Sequence, residues 1–328
     1  MQSMNGFKRI IKRIYLKMVK RYHQLFYGSC AALLYHRVTD LDSDPQLLSV
    51  SPSNFDLQLA YLKKNYRILH PNELLELLKS GKRIPRHSIL LTFDDGYADN
   101  YLEAIPILEK HGLTALFYVC TGNIGSEREF WWDRMERIFL LDPLPDRAIN
   151  ITLGEKQFTL SEGNRKDVYD ELLPLLRKMD SNSRDERIQE FALLLNQLEN
   201  RKTHRSMSTE ELKKMAQSPA ACIGAHTVGH PSLAALSKEA QMLEIKSSKE
   251  FLEELLGTQM IHFSYPFGTK QDYNDDSISI CKDLGFELVA ANYPYIVNRK
   301  SNALAYPRFL VRNWEVDQFK NELEAFYV

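Results

Sequence analysis

Cysteine is scarce in this 328-residue chain: Cys30, Cys120, Cys222 and Cys281 are the only four, scattered and with no CxxC. That excludes a disulfide framework and reads as buried thiols in a reducing compartment. An excess of one charge is missing too. With 42 Lys+Arg against 43 Asp+Glu the net charge is -1, so no bulk attraction to nucleic acid is implied. No stretch reaches the roughly 18 consecutive apolar residues of a transmembrane helix, and the first residues lack the apolar core of a signal peptide. A cytoplasmic location is therefore expected. No GxGxxG follows the first apolar run, and there is no internal repeat or low-complexity tract.

Acidic residues are absent before Asp40. In that acid-free stretch Met4, Phe7, Ile11, Ile14, Met18, Tyr22 and Leu25 recur at spacings of three and four. Lys8, Arg9, Lys12, Arg13, Lys17, Lys20 and Arg21 fill the gaps. The pattern predicts a basic amphipathic helix over residues 1–28. Two uses stay open: lying peripherally on an anionic membrane face, at the inner side, or docking on the protein's own body.

Beyond residue 28 the length and a hydrophobic content of 44% allow one sizeable domain or two smaller ones. Short β-type runs recur: AALLYH (31–36), SILLTF (88–93), TALFYV (114–119), ACIGA (221–225), IHFSY (261–265), ELVAA (287–291) and RFLVR (308–312). Helical stretches intervene, with Ser53 and Ser237 as N-caps and Gly81, Gly112 and Gly257 as C-terminal stops. The alternation predicts a parallel α/β fold, a barrel of about seven strands, with an open doubly wound sheet as the alternative. From about 127 to 219 the text turns helical and highly charged, and reads as a helical insertion between two barrel strands.

Two stretches carry chemistry. LTFDDGYADN (91–100) ends an apolar run with Asp94 and Asp95 side by side. Within a strand the two would face opposite ways, but a turn can bring both into one pocket. Two like charges there raise each other's pKa, which calls for a reason. IGAHTVGHPSL (223–233) places His226 and His230 four residues apart after a strand, where one helical turn aims both imidazoles alike. Both stretches sit at strand C-terminal ends, where α/β folds hold their chemistry. Two imidazoles and one carboxylate make a three-ligand set for a divalent cation with positions left for water and substrate. One aspartate would then ligate while the other stays free as a base.

TFDDG, HTVGH and FSYPFG in this order resemble the polysaccharide deacetylase (NodB-like) carbohydrate esterases, over roughly residues 30–313 apart from the insertion. The resemblance implies a distorted (β/α)7 barrel that hydrolyses N-acetyl groups of amino-sugar polymers with a divalent metal, Zn2+ being the expected ion. It implies Asp94 as general base and Asp95, His226 and His230 as metal ligands. The family's Arg-x-Pro-Tyr falls on Ser264, Tyr265, Pro266 and Phe267, so Phe267 inherits the backbone N–H given to the oxyanion. Two departures stand out. The motif arginine, which orients the base in many members, is Ser264, for which Arg308 is a candidate substitute; Tyr265, Pro266 and Arg308 join Phe267 as candidates to meet the oxyanion or the substrate. The late Leu-x-Leu-His is absent, since RFLVRNW has no histidine. LLYHRV resembles the permuted poly-N-acetylglucosamine deacetylases, which implies His36 as the general acid. Trp131 or Trp132, in FWWD (130–133), is a candidate for stacking on a sugar face.

The expected activity is removal of acetyl from an N-acetylated saccharide, such as a cell-surface glycan precursor. The alternatives are an amidase for a non-sugar amide and a catalytically inactive carbohydrate-binding protein.

Overall fold

The computed structural model describes residues 28–145, 147–195 and 200–327, so the basic N-terminal segment, residues 1–27, lies outside the described residues. Seven parallel strands form the frame: β1 (Cys30–Tyr35), β2 (Ser88–Phe93), β3 (Ala115–Val119), β4 (Ala221–Ala225), β5 (His262–Ser264), β6 (Leu288–Ala290) and β7 (Phe309–Leu310). Their order in the sheet, β6-β5-β4-β3-β2-β1-β7, follows the chain except that β7 closes beside β1. The sheet curls until Tyr306, just before β7, bridges Ala290 of β6. Tyr306 N–H donates to Val289 O (2.9 Å), and Tyr306 O accepts from Ala291 N–H (2.8 Å). This is the distorted seven-stranded barrel expected from the sequence.

All six residues of β1 and of β2 are buried, as strands covered on both faces must be. Alternation divides them. Ala31, Leu33 and Tyr35 pack with Ile89, Leu91 and Phe93 against the outer helices, whereas Ala32 and Leu90 face the barrel interior with Leu116 and Tyr118. Thr92 continues the inward set, and so does Asp94. Around the barrel run α1 (Pro52–Asn65), α2 (Pro71–Ser80), α3 (Ile105–His111), α4 (Thr209–Gln217), α5 (Lys238–Leu256), α6 (Asp275–Asp283) and α7 (Val316–Tyr327). The cap of α1 is Ser51 rather than Ser53, because Pro52 takes the first helical position, where its missing N–H costs nothing.

The segment between β3 and α4 departs from expectation in two ways. It is not wholly helical: Ile149–Leu153 and Lys156–Leu160 form an antiparallel hairpin between the helix Trp131–Glu136 and the helices Arg165–Leu176 and Ser181–Leu194. It also ends earlier than residue 219, since Ser206 already pairs with Tyr97 at the barrel rim and α4 is a barrel helix. The insertion has an apolar core of its own, with Trp132, Phe139, Ile151, Tyr169 and Phe191 buried. That core reaches onto the barrel through Tyr97 and Cys120, which seats the insertion on the C-terminal end of the strands.

Candidate active site

The paired aspartates separate at the strand end. Asp94 keeps the inward direction of Thr92. Asp95 adopts φ 77°, a left-handed conformation unusual for a non-glycine residue, and this turns its side chain back to the same side. Thr227 (φ 66°), His230 (φ 57°) and Phe267 (φ 58°) share the feature. Among the described residues, four of the six positive-φ residues other than glycine therefore lie in one place, the kind of concentrated backbone strain found at functional sites.

Asp94 is fixed from behind. Arg308 donates through Nη1 to Oδ1 (2.6 Å) and through Nη2 to Oδ2 (2.7 Å), a bidentate pair with both partners buried. Ser264 Oγ donates to Oδ2 (3.3 Å) and accepts from Arg308 Nη2 (2.8 Å). Arg308 Nε is anchored on Ala291 O (3.0 Å). Burial pushes the Asp94 pKa up, but the charge and hydrogen bonds of Arg308, with His226, outweigh it, and the net shift is down. Arg308 thus stands where the absent motif arginine was needed. It lies behind Asp94, away from the cleft, so its expected contact with substrate is replaced by a hold on Asp94.

Asp95, His226 and His230 bring one ligand atom each within 4.8 Å of one another. His230 Nε2 is 3.5 Å and His226 Nε2 3.7 Å from Asp95 Oδ1. His226 Nδ1 bonds to Ser264 O (2.7 Å), which leaves Nε2 to face the site. Asp95 Oδ1 and His226 Nε2 are buried without hydrogen-bond partners. Burial pushes both imidazoles below their ordinary values, keeping them neutral. Burial, then Asp94, raises Asp95. Orphaned acceptors in a buried O,N,N set fit a divalent cation.

A cleft of about 410 Å³ opens over this centre. His36, Asp94, Asp95, His230 and Phe267 line it from the barrel, and Trp131, Trp132, Leu173, Pro174 and Arg177 from the insertion. His36 Nδ1 is enclosed without a partner. Burial holds its imidazole well below the usual range, against the pull of Asp94, so His36 rests neutral rather than protonated. Phe267 N–H bonds to no group among the described residues. Its turn is set by Gly268, whose N–H donates to Pro266 O (2.6 Å) and whose missing Cβ would meet Asn292 N at 2.7 Å.

Two expected residues are not at the cleft. Tyr265 is fully buried, stacked on Tyr273 at 4.3 Å, with its hydroxyl on Leu304 O (3.0 Å). The alternation of β5 turns it into the core. Pro266 is buried and shapes the turn. Trp132, the other stacking candidate, is edge-on to His230 at 4.8 Å. Arg177, which the sequence did not single out, lies over the Phe267 ring at 3.8 Å and pairs with Asp272.

A second cluster, Asp133, Glu136 and His204, also gathers ligand atoms within 4.8 Å. Its oxygens are engaged: Glu136 accepts from Ser43 Oγ (2.6 Å) and Arg201 Nη1 (3.0 Å), and Asp133 accepts from Tyr97 OH (2.7 Å). Burial, with Arg37 and Arg201, holds His204 down to about 3. A cation would meet those two guanidinium groups. The cluster is a network that joins insertion to barrel.

Comparison with known proteins agrees with this geometry. The Bacillus subtilis protein YxkH, described as a candidate polysaccharide deacetylase, is 22% identical over 280 residues, 85% of this chain and 70% of that protein. A poly-β-1,6-N-acetyl-D-glucosamine N-deacetylase of Staphylococcus aureus is 33% identical over 113 residues, 30% of this chain and 39% of that protein. Its Escherichia coli namesake is 35% identical over 79 residues, only 24% of this chain and 12% of that protein. Two solved structures share the fold: Streptococcus pyogenes deacetylase PplD in complex with acetate (TM-score 0.60, 21% identity, 90% of this chain and 98% of that one) and IcaB from Ammonifex degensii (0.59, 21%, 91% and 97%). A family model described as polysaccharide deacetylase matches residues 81–140 and 158–289, more than half of the chain. The chain belongs to the polysaccharide deacetylase family.

Proposed function

We propose that this chain is a metal-dependent hydrolase that removes N-acetyl groups from an N-acetylated amino-sugar saccharide. The observation that carries the reading is the contrast between adjacent aspartates. Asp94 has both oxygens held by Arg308, while Asp95 Oδ1 is buried without a partner and faces two neutral imidazoles. One is built to stay a carboxylate, and the other to bind a cation.

A divalent cation held by Asp95, His226 and His230, with Zn2+ suited to such a set, would supply Lewis acidity to the acetyl carbonyl and acidify water. Asp94, kept ionised by Arg308, takes the proton of the attacking water. The Phe267 N–H is available to the oxyanion of the tetrahedral intermediate. His36 passes a proton to the departing amine. Because it rests neutral, it acquires that proton during turnover, from Asp94. Acetate and a free amino sugar leave.

The cleft suits a saccharide, which presents apolar ring faces and a hydroxyl edge. Trp131, Leu48 and Leu310 offer the apolar wall, and Gln46, Thr269 and Asn292 the polar one. The poly-N-acetylglucosamine deacetylases among the relatives support this class of substrate. We place the reaction on a glycan precursor at the cytoplasmic membrane face, a proposal supported by the basic amphipathic pattern of residues 4–25. The test is acetate release from β-1,6-linked N-acetylglucosamine oligomers and from lipid-linked N-acetylated saccharides. Release should cease with a chelator and return with Zn2+. Chelator-insensitive release, or none from any N-acetylated sugar, would overturn the reading.

A further inference from the structure

We infer that Arg184, carried by the insertion, is a positioning residue for the ligand His230, so that the insertion is a built part of the metal centre. The inference rests on the functional reading above.

Arg184 lies in the helix Ser181–Leu194 and is 1% exposed. A buried guanidinium is costly unless its donors are used. Among the described residues no carboxylate is in close contact, the nearest being Asp185 Oδ1, 4.0 Å from Nε. Its two terminal nitrogens go instead to the loop between the two histidines, Nη1 to His230 O (3.3 Å) and Nη2 to Gly229 O, while Nε has no hydrogen-bond partner among the described residues. From the other side Glu244 of α5 accepts Val228 N–H and Gly229 N–H through Oε2, both at 2.9 Å. Ser181, opening the same insertion helix, donates to Glu244 Oε1 (2.6 Å). The fit is close: a Cβ on Gly229 would stand 2.1 Å from Ser181 Oγ.

The loop is thus clamped, its N–H groups on Glu244 and its carbonyls on Arg184. The clamp answers a need. His230 and Thr227 both hold positive φ, a conformation that persists only where surrounding groups over-determine it. The peptide planes on either side of His230 set its Cα–Cβ direction, and hence the approach of Nε2 to Asp95. Arg184 also lies over the Trp131 ring at 4.9 Å. One side chain therefore supports both a metal ligand and the cleft wall.

The test is titration of metal-free protein with Zn2+ alone by calorimetry, and with Co2+ alone by visible absorption, which reports ligand geometry. Supports around a metal ligand are typically worth about 10–100-fold in affinity. Arg184→Met should weaken binding about tenfold or more and alter the Co2+ bands. Arg184→Lys, which can still bond one carbonyl, should recover part of both. A folded Arg184→Met protein with wild-type affinity and spectrum overturns the inference. Should that variant fail to fold, Arg184→Lys decides: wild-type affinity and spectrum there overturn it equally. Wild-type protein that binds neither ion would overturn the functional reading itself, a different result from wild-type binding that the variants leave untouched.

Discussion

The barrel rim and the insertion that covers it are built on opposite terms. The rim is charged, buried and locally strained: Asp94, Asp95, His226 and His230 are nearly or fully enclosed, and two of the four hold positive φ. The insertion is a small apolar assembly with its charges turned to solvent or spent on seams, such as Arg201 on Glu129 and Glu136. The rim supplies the candidate reacting atoms on rigid strand ends. The insertion supplies a cleft wall and a brace. A chemical centre on the scaffold and a wall on an inserted segment lets substrate preference change at wall positions away from the Arg184 brace without disturbing the ligands. If this division holds, rim substitutions should strike metal and chemistry, and insertion substitutions should strike substrate affinity and stability, save at the brace Arg184, which acts on the metal centre through His230.

The largest effect is expected at the rim. His226→Ala leaves a two-ligand site, so the purified variant should lose both bound metal and acetate release. Full occupancy by elemental analysis would remove His226 from the centre. His36→Ala comes next. It should retain metal and lower kcat on an N-acetylated sugar by about 10²–10⁴-fold, with a smaller loss on an aryl acetate ester, whose leaving group needs no proton. Equal losses on both substrates would show a role other than proton donation. Across the cleft, Trp131→Ala should raise KM about tenfold, roughly 1.4 kcal/mol, with kcat little changed. A fall in kcat at unchanged KM would place Trp131 with the chemistry and blur the division.

The effect on catalysis is expected to be smallest at the seam, where the readout is stability. Burial raises Asp133 from 3.8 to about 7, so the folded chain holds this proton more tightly than the unfolded one. Its stabilising contribution is complete below about pH 4 and is lost as pH rises through 7, at most about 4 kcal/mol. Asp133→Asn keeps an acceptor for Tyr97 and removes the titration. In urea unfolding between pH 4 and 8, wild type should therefore lose stability relative to the variant as pH rises. A difference independent of pH would show Asp133 ionised throughout.

Much of the rim was legible in the sequence because it follows local rules. SILLTF and ACIGA are strands at the residues their apolar runs mark, and the motifs after them point at one centre. Arg308 is legible only through a gap: Ser264 stands at the motif arginine's position, which makes Arg308 a candidate substitute although 214 residues separate it from Asp94. Tyr265 was misplaced because a motif position says nothing of the face a strand residue takes. The hairpin was missed although its signal was present, since Ile149, Ile151 and Leu153 alternate before Gly154 (φ 60°). A charged, helical context hid that period of two. Arg184 left no local signal at all. In a segment as charged as SNSRDERIQE, a buried guanidinium reads like one more solvated residue, and only the tertiary contact with Gly229 and His230 sets it apart.

The claim at the centre of this account is that two adjacent aspartates do different work, and one paired measurement reads it directly. Asp94→Asn and Asp95→Asn proteins are purified side by side, and bound metal and acetate release are determined for each. The account predicts that Asp94→Asn keeps its metal while turnover falls by about 10²–10⁴-fold or more, since an amide cannot take the proton of water, and that Asp95→Asn comes out with little metal. A metal-free Asp94→Asn protein beside a metal-loaded Asp95→Asn protein would contradict it.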